Sequence, residues 1–404
     1  MVSRLSLPKW YSRDLVGNPY YQPNAAQIQA EAEETAALHK LQSASKDQLR
    51  IFRLHVDEQP DFTWAFTVVD PSSGRVTRYL PAAFKGRLKL LPYWTKGNNR
   101  VVWVTPQELG EVLRTTPSIM GGRLSVPGAW WDIIRLTEWD LENAAAITMH
   151  GYTMDFHPWT ARFDMHYWVA RANNPHAAEG EHPQLGMPGT EGTGGLVVLT
   201  PETVWHPEHN PDGIWAPIST IPDVIHECWK YVNTLGYTVL WPRHCHKFTL
   251  GGSLDPIVAA ASIYHAHLRG SLEAEPFWFP KGISTRTDML GVFEPEVQFA
   301  DDLKARTVFT ILNVFRGFLE EGIAPFDLLV VTGQAASHCV LRSLQQAVKC
   351  LIAAGLEHRV KDIVYLSDTA SIIPGFEEET EKALAELAAL GMRIETTESF
   401  QLAA

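Results

Sequence analysis

The strongest constraint on the fold is an alternation of short apolar runs with helical patterns, which begins near residue 49 and continues to the end of the chain. Apolar runs of this length are typical of strands buried on both faces of a sheet. The runs are LRIFRLHV (49–56), AAITMHGY (145–152), GYTVLW (236–241), PFWFP (276–280), DLLVVTG (327–333), DIVYLSD (362–368) and MRIETT (392–397). Helical patterns lie between several of them, at Pro256–Leu268, Ala300–Glu321, Ser337–Ala354 and Glu377–Leu390. This alternation predicts right-handed crossovers and a three-layer α/β/α domain, with a mostly parallel, Rossmann-like central sheet of about six strands.

The rest of the chain divides into an N-terminal extension and two insertions. Residues 1–48 form the extension, with one surface helix predicted over Ala25–Gln42. Residues 63–120 and 167–235 are too long for simple connections, so we expect lids or an added subdomain there. The second insertion contains GMPGTEGTGG (186–195), which is typical of a flexible loop. The domain itself is predicted to span residues 49–404.

Charge and hydropathy exclude several classes of partner. The chain has 34 Lys and Arg against 46 Asp and Glu, a net charge of −12, which disfavours nucleic acid. No run of about 18 apolar residues is present, and the N-terminus lacks the apolar stretch of a signal peptide, so we expect no membrane partner. Four cysteines without a CxxC pair indicate reduced thiols and a cytoplasmic location.

Chemically useful residues follow the predicted strands. In an open parallel sheet, ligands bind beyond the carboxyl ends of the strands. The segments at those ends offer carboxylates, imidazoles, a lysine and a thiol: VDEQPDF (56–62), MDFHP (154–158), WPRHC (241–245), FPKG (279–282) and GQAASHCV (333–340). Each segment alone is a weak signal, but together they predict one active site.

Cys339 is a candidate nucleophile at the start of a predicted helix. Amides at a helix N-terminus stabilise a thiolate and lower a thiol pKa. The small residues Gly333, Ala335 and Ala336 allow a sharp turn that places N–H groups near an oxyanion. We favour this interpretation over a buried structural cysteine, which is the role that fits Cys228, Cys245 and Cys350.

Asp155 and His157 are candidate metal ligands. On an extended segment, side chains two residues apart point the same way, and His244 at another strand end supplies a third donor. Two imidazoles and one carboxylate suit a catalytic zinc or iron ion. A simple Asp–His hydrogen bond beside an unrelated histidine explains these residues equally well, so both interpretations stay open here.

Lys281 emerges from a very apolar run and is either the partner of a buried carboxylate or the end of a solvated loop. Asp57 follows the first strand, near the predicted sheet centre. Close to a lysine and a thiol, it would stay ionised and accept the thiol proton. Asp61 fits a turn.

With GGRLSVPGA (121–129) and VFE (292–294), these segments resemble the isochorismatase-like cysteine hydrolases, and most of all their nicotinamidase/pyrazinamidase branch, over about residues 49–400. The resemblance implies a metal-dependent amidase that converts nicotinamide or a similar small amide into the acid and ammonia through a cysteine thioester. A role in NAD salvage and the family's α/β fold are further implications.

The same resemblance assigns roles. Cys339 would be the nucleophile, Asp57 the general base and Lys281 the group that holds both electrostatically. The N–H groups of Ala335 and Cys339 would form the oxyanion hole, with a cis peptide between Gln334 and Ala335. Zinc, or alternatively manganese or iron, would bind Asp155, His157 and His244. The substrate pocket would contain Phe62, Trp241, His338 and Gln334.

The sequence also departs from the family's pattern. Many relatives carry another histidine shortly after the DxH segment, where this chain has Phe163 and Asp164; His166 or water is the alternative fourth ligand. A metal-free hydrolase of a carbamoyl compound, and a noncatalytic binding protein on the same fold, are the competing interpretations. The 167–235 insertion is either a lid over the site or a surface that packs against another subunit, because this fold commonly forms homo-oligomers.

Overall fold

The computed structural model describes residues 4–13, 16, 22–39, 41, 49–63, 66–70, 75–81, 94–95, 98–99, 102–104, 119–120, 124, 126, 128–183, 197–241, 243–270, 276–305, 309–318, 322, 325–373 and 375–402. The GMPGTEGTGG segment lies outside the described residues. Among the described helices, none combines the length and apolarity needed to cross a bilayer. All four cysteines are free thiols.

The described strands, β1 to β16 in chain order, are Ile51–Val56, Phe66–Asp70, Arg75–Pro81, Trp94–Thr95, Asn98–Asn99, Val102–Val104, Ile119–Met120, Met149–Asp155, Trp168–Ala170, Val197–Leu199, Trp215–Pro217, Thr238–Leu240, Phe277–Lys281, Leu328–Gly333, Ile363–Leu366 and Arg393–Glu395. The described α-helices, α1 to α8, are Ala25–His39, Pro60–Thr63, Ala129–Asn143, Pro222–Leu235, Pro256–Arg269, Ile311–Arg316, Leu341–Ala353 and Glu377–Ala389. Short 3₁₀ turns cover Met165–Tyr167, Leu250–Gly252, Leu303–Ala305, Glu357–Asp362 and Ser367–Thr369, and a π-helical turn covers Ala336–Val340.

Six strands form one parallel sheet in the order β13-β8-β1-β14-β15-β16. Taken in chain order, this is the doubly wound arrangement 3-2-1-4-5-6, in which the winding direction reverses between β1 and β14. The register pairs Val56 with Gly333 and Lys281 with Asp155, so the carboxyl ends of these strands meet at one edge. The predicted α/β fold with a parallel sheet of six strands is confirmed.

Helices cover both faces of the sheet. Phe52, Leu54 and Val56 point from β1 into a core shared with α6 and α7. On the opposite face, α3, α5 and α1 share a second core. The extension belongs to this second core, because Ile28 and Ala32 of α1 are buried in it.

Two sequence-based assignments were wrong in detail. The run 236–241 does not enter the central sheet; β12 pairs antiparallel with β10 instead. An apolar run indicates a buried strand but not the sheet that the strand joins. The predicted helix Ala300–Glu321 is much shorter in the described residues, because Gly317 at φ 86° ends α6.

The two insertions carry their own structure. The first contributes a four-stranded sheet in the order β6-β3-β2-β7. The second contains α4 and a separate core that includes Trp168, Trp215 and Val232. The helices α3 and α4 had no counterpart in the sequence-based assignment.

A buried polar network lies beneath the first strand. The His55 Nδ1 is 3.0 Å from a Glu58 carboxylate oxygen, and the His55 Nε2 is 2.8 Å from the His150 Nδ1. The Thr332 hydroxyl donates to Glu58 over 3.0 Å, which ties the chain after β1 to β14. Burial lowers the pKa of His55 to about 3 and raises the pKa of Glu58 to about 7. The network therefore fixes the backbone on both sides of Asp57.

Glu58→Gln tests this network through the pH dependence of stability. A carboxyl whose pKa is raised on folding holds its proton longer in the folded state, so its stabilising contribution is lost as pH rises from about 4.5 to about 7. Between pH 4.5 and 8 we expect the free energy of unfolding of the natural protein to fall by on the order of 2 kcal/mol relative to Glu58→Gln. Urea unfolding at both pH values measures this difference. The exposed Glu386→Gln is the control and should follow the natural protein; parallel pH profiles for Glu58→Gln would refute the assignment.

Candidate active site

The candidate site lies where the winding of the sheet reverses. Asp57 directly follows β1, and Cys339 lies on the π-helical turn that follows β14. Gly333 makes this possible: its φ is +125°, and a Cβ there would lie 1.9 Å from the Val56 carbonyl oxygen. Only glycine lets β14 leave the sheet this close to β1.

Lys281 is the centre of the site. Its ammonium is buried and forms ion pairs with Asp155 Oδ1 and, at 2.8 Å, with Asp57 Oδ2. It also donates to the Met289 carbonyl over 2.9 Å and to the Cys339 sulfur over 3.7 Å. Of the two interpretations that the sequence left open for Lys281, the structure selects the partner of buried carboxylates. Burial opposes the charge, but the carboxylates outweigh it and raise the pKa of Lys281.

Asp57 is held in a conformation that few non-glycine residues adopt. Its φ is 51°, and its N–H donates to the Thr153 carbonyl over 3.1 Å. The Thr153 hydroxyl lies 2.9 Å from Asp57 Oδ1. Burial and the nearby Asp155 carboxylate raise the pKa of Asp57 to about 6, although Lys281 opposes this. Asp57 therefore remains mainly ionised at neutral pH and can accept a proton.

The electrostatics of Cys339 differ from the sequence-based expectation. The predicted effect of a helix N-terminus was a lowered thiol pKa. In the structure the sulfur is buried, and burial together with Asp57 and Asp155 raises its pKa well above the usual range, with Lys281 acting in the opposite direction. Cys339 therefore rests as a thiol beside a carboxylate base.

The turn before Cys339 has the expected backbone. The peptide bond between Gln334 and Ala335 is cis. The Ala335 carbonyl accepts from the N–H groups of His338 and Val340, over 3.0 and 3.2 Å. Ala335 and Cys339, the two residues expected to form an oxyanion hole, both line the same small cavity.

The three predicted metal ligands form one buried cluster. Donor atoms of Asp155, His157 and His244 lie within 4.8 Å of one another. The His157 Nδ1 is 3.2 Å from the Gly282 carbonyl oxygen, and a Cβ at Gly282 would lie 2.6 Å from that nitrogen. Burial disfavours protonated His157, but Asp155 outweighs it and raises the pKa to about 9. Two imidazoles and a carboxylate, buried together, are a donor set that fits zinc.

Two supporting residues orient these ligands. The Gln59 side chain accepts from the Asp155 N–H over 2.7 Å and donates to the Asp155 carbonyl over 2.8 Å. Asp61, interpreted from the sequence as a turn residue, accepts from the Cys245 N–H over 2.6 Å and fixes the loop after His244. Both lie in the VDEQPDF segment, but their partners are remote in sequence.

The predicted fourth ligand, His166, lies outside the cluster, and so does Asp164, which stands where many relatives carry a histidine. His166 is exposed, and its ring lies 5.9 Å from that of His182. Asp164 is buried, and its carboxylate lies 3.7 Å from the His246 Nε2. Among the described residues, neither joins the cluster of Asp155, His157 and His244.

A small cavity of about 30 Å³ lies against the Cys339 sulfur. Phe62, Trp241 and His338 line it, as predicted, together with Leu124 and Val126 of the GGRLSVPGA segment. Gln334, also predicted for the pocket, donates from its side-chain amide to Asp132 over 3.1 Å and is not among the described residues that line this cavity.

Asp288 and Leu290 line this cavity but were not recognised in the sequence. They lie in the irregular segment after Lys281, which no periodic pattern describes. Burial raises the pKa of Asp288 to about 6. The sequence signal that could have identified Asp288 was its position as an acidic residue shortly after the end of β13.

The fold and the site define an α/β protein with a buried Cys–Asp–Lys centre next to a cluster of metal-binding type. Its structure is similar to those of a nicotinamidase/pyrazinamidase from Acinetobacter baumanii (15% identity, 88% of this chain and 99% of that chain covered, TM-score 0.41) and of the yeast nicotinamidase (14%, 86% and 99%, 0.42). An isochorismatase-like hydrolase from Alkaliphilus metalliredigens is also similar (14%, 86% and 96%, 0.32). No family model and no curated protein matches the chain. Similarities this low carry no argument about the reaction.

Metal binding is tested with substitutions of single ligands. We expect His157→Ala and His244→Ala to lower the affinity for zinc by at least about 100-fold, because each removes one of three donors. His166→Ala, an exposed histidine outside the cluster, is the matched control and should bind zinc normally. Titration of metal-free protein, with bound zinc measured by elemental analysis, gives the result. Equal zinc binding by all variants would show that His157 and His244 do not bind the ion.

Proposed function

We propose that this chain is a cysteine amidohydrolase that releases ammonia from nicotinamide or a similar small carboxamide. The observation that carries the proposal is the single buried Lys281 ammonium, which contacts both the Asp57 carboxylate and the Cys339 sulfur. A nucleophile, a base and a fixed positive charge at one cavity are the parts that acyl transfer requires.

Attack begins from the neutral thiol. Asp57 takes the proton from Cys339 as the sulfur attacks the carbonyl carbon, so a thiolate forms only as it is used. Lys281 stabilises the negative charge that moves between the two groups. The carbonyl oxygen becomes an oxyanion, which the N–H groups of Ala335 and Cys339 would bind.

Collapse of the tetrahedral intermediate breaks the C–N bond. Asp57 returns its proton to the leaving nitrogen, so the products of this half are ammonia and a thioester on Cys339. Water then attacks the thioester while Asp57 accepts its proton. The acid leaves, and the proton returns to the sulfur.

The metal site belongs to the same proposal. Asp155, His157 and His244 would hold the ion, and their donor set fits zinc. A bound zinc ion supplies a Lewis-acidic coordination position at the cavity wall. Asp155 contributes to both halves of the site, since its Oδ1 pairs with Lys281 and its Oδ2 lies 3.5 Å from the His157 Nε2.

Ammonia release from nicotinamide and a panel of small amides, measured with zinc present, tests the function. We expect turnover by the natural protein and a loss of at least about 1,000-fold in Cys339→Ala, because the nucleophile is gone. Cys350→Ala, which removes a half-buried thiol on α7, is the matched control and should keep its activity.

Two results would contradict the proposal. Full activity in Cys339→Ala would show that Cys339 is not the nucleophile. No ammonia from any amide or carbamoyl compound would instead favour a noncatalytic binding protein on this fold.

A further inference from the structure

The histidine next to the nucleophile is held in one orientation by its neighbours. The His338 ring packs edge to face against two aromatic side chains, with its centroid 5.1 Å from that of Trp241 and 4.6 Å from that of Phe376. The His338 Nδ1 is 2.8 Å from the Ser337 hydroxyl oxygen. The other ring nitrogen, Nε2, has no hydrogen-bond partner among the described residues.

The Ser337 hydroxyl determines which nitrogen of His338 carries the proton. Its oxygen accepts the Ile373 N–H over 3.1 Å, and the neighbouring Ala336 N–H donates to the Ser371 carbonyl over 2.8 Å, which fixes the turn. Within the described part of the chain, the hydroxyl proton has no acceptor other than His338 Nδ1. A nitrogen that accepts this proton is itself unprotonated, and a neutral imidazole then carries its proton on Nε2.

The His338 ring is neutral at pH 7. Burial lowers its pKa to about 4, because the aromatic and apolar surroundings disfavour the charged imidazolium. No charged side chain of the described residues opposes this effect. His338 therefore offers one N–H donor, at Nε2, without a positive charge.

This donor belongs to the small cavity at Cys339. The cavity has a volume of about 30 Å³, and apolar side chains such as Phe62, Val126 and Ile373 form much of its described lining. Apart from the predicted metal ligands and the reacting thiol, the side-chain donors in that lining are the Trp241 indole and the His338 ring. An N–H that loses its water to a bound ligand is costly unless the ligand supplies an acceptor.

We propose that His338 is a neutral hydrogen-bond donor that recognises the amide substrate, with Ser337 holding it in the Nε2–H tautomer. The inference rests on the proposed amidohydrolase function. It narrows the substrate class to small carboxamides that carry a hydrogen-bond acceptor, such as a ring nitrogen or a carbonyl oxygen, in addition to the reacting carboxamide. An analogue with a C–H group in place of the acceptor leaves the His338 N–H unpaired and binds more weakly. His338 thus determines specificity, and Ser337 is a positioning residue.

The tautomer is tested by NMR of the natural protein with nitrogen-15 in its histidine rings. For His338 we expect a protonated Nε2 and an unprotonated Nδ1, with both signals assigned by their absence from His338→Gln. In Ser337→Ala the Nδ1 signal should move, because the hydrogen bond to it is lost, whereas Ser337→Thr keeps the hydroxyl and should keep the signal near its natural position. A proton on Nδ1, or an Nδ1 signal that Ser337→Ala leaves in place, would overturn the proposal.

Recognition is tested by calorimetric binding of five amides of one shape to Cys339→Ala protein with zinc present. Picolinamide, nicotinamide, isonicotinamide and pyrazinamide differ from benzamide only in their ring nitrogens. For the amide whose nitrogen faces Nε2, we expect the preference over benzamide to fall by about 3- to 10-fold in His338→Phe, which keeps a flat ring without a donor. His338→Gln supplies an amide N–H near the position of Nε2 and should retain the preference. Any contribution of the metal is common to these variants and cancels in the comparison.

His166→Phe, a change at an exposed histidine outside the described lining, is the control and should keep the natural preferences. Preferences that are the same in His338→Phe for all four ring amides, or no binding of any amide, would overturn the acceptor site. The Cys339→Ala protein cannot form a thioester, so these affinities do not depend on turnover. A preference that requires His338, found together with no ammonia release from any amide, would support the recognition role and reject only the proposed hydrolysis.

Discussion

The site depends on one interaction, the burial of the Lys281 ammonium between two carboxylates and a sulfur. An unpaired ammonium in this position would be strongly destabilising, and so would either carboxylate without it. The ammonium and the two carboxylates therefore require one another. Their positions fix the strand ends that carry them. The doubly wound sheet order brings those ends together at the point where the winding reverses.

Asp155 links the two halves of the site. One carboxylate oxygen pairs with Lys281, while the other faces His157. Charge at the metal cluster therefore changes the field at Lys281, and through it the proton affinity of Asp57 and Cys339. Two hydrogen bonds between the Gln59 side chain and the Asp155 backbone fix the position of Asp155.

The site could be predicted from the sequence where its residues lie at or shortly after the end of a strand. Asp57 follows β1, Lys281 ends β13 and Cys339 lies on the turn after β14, so the sheet topology brings them to one edge. Asp288 could not be found this way, because it lies in an irregular segment whose path depends on tertiary contacts such as that with Tyr231. The same limit explains the errors in the predicted fold. Apolar periodicity located β12 but not its antiparallel partner β10, and it missed α3 and α4. The direction of the Cys339 pKa shift was wrong for a related reason, because a sequence shows the helix start but not the burial or the carboxylates around the sulfur.

The most direct test of the account is the pH dependence of Cys339 alkylation by iodoacetamide, followed at that residue by peptide mass spectrometry. If Cys339 rests as a thiol beside Asp57, its alkylation should be slow at pH 7 and should rise steadily as the pH is raised through 9. Cys350 on α7 provides an internal comparison outside the site. Fast alkylation of Cys339 that does not change between pH 5 and 8 would show a preformed thiolate and contradict the role given to Asp57.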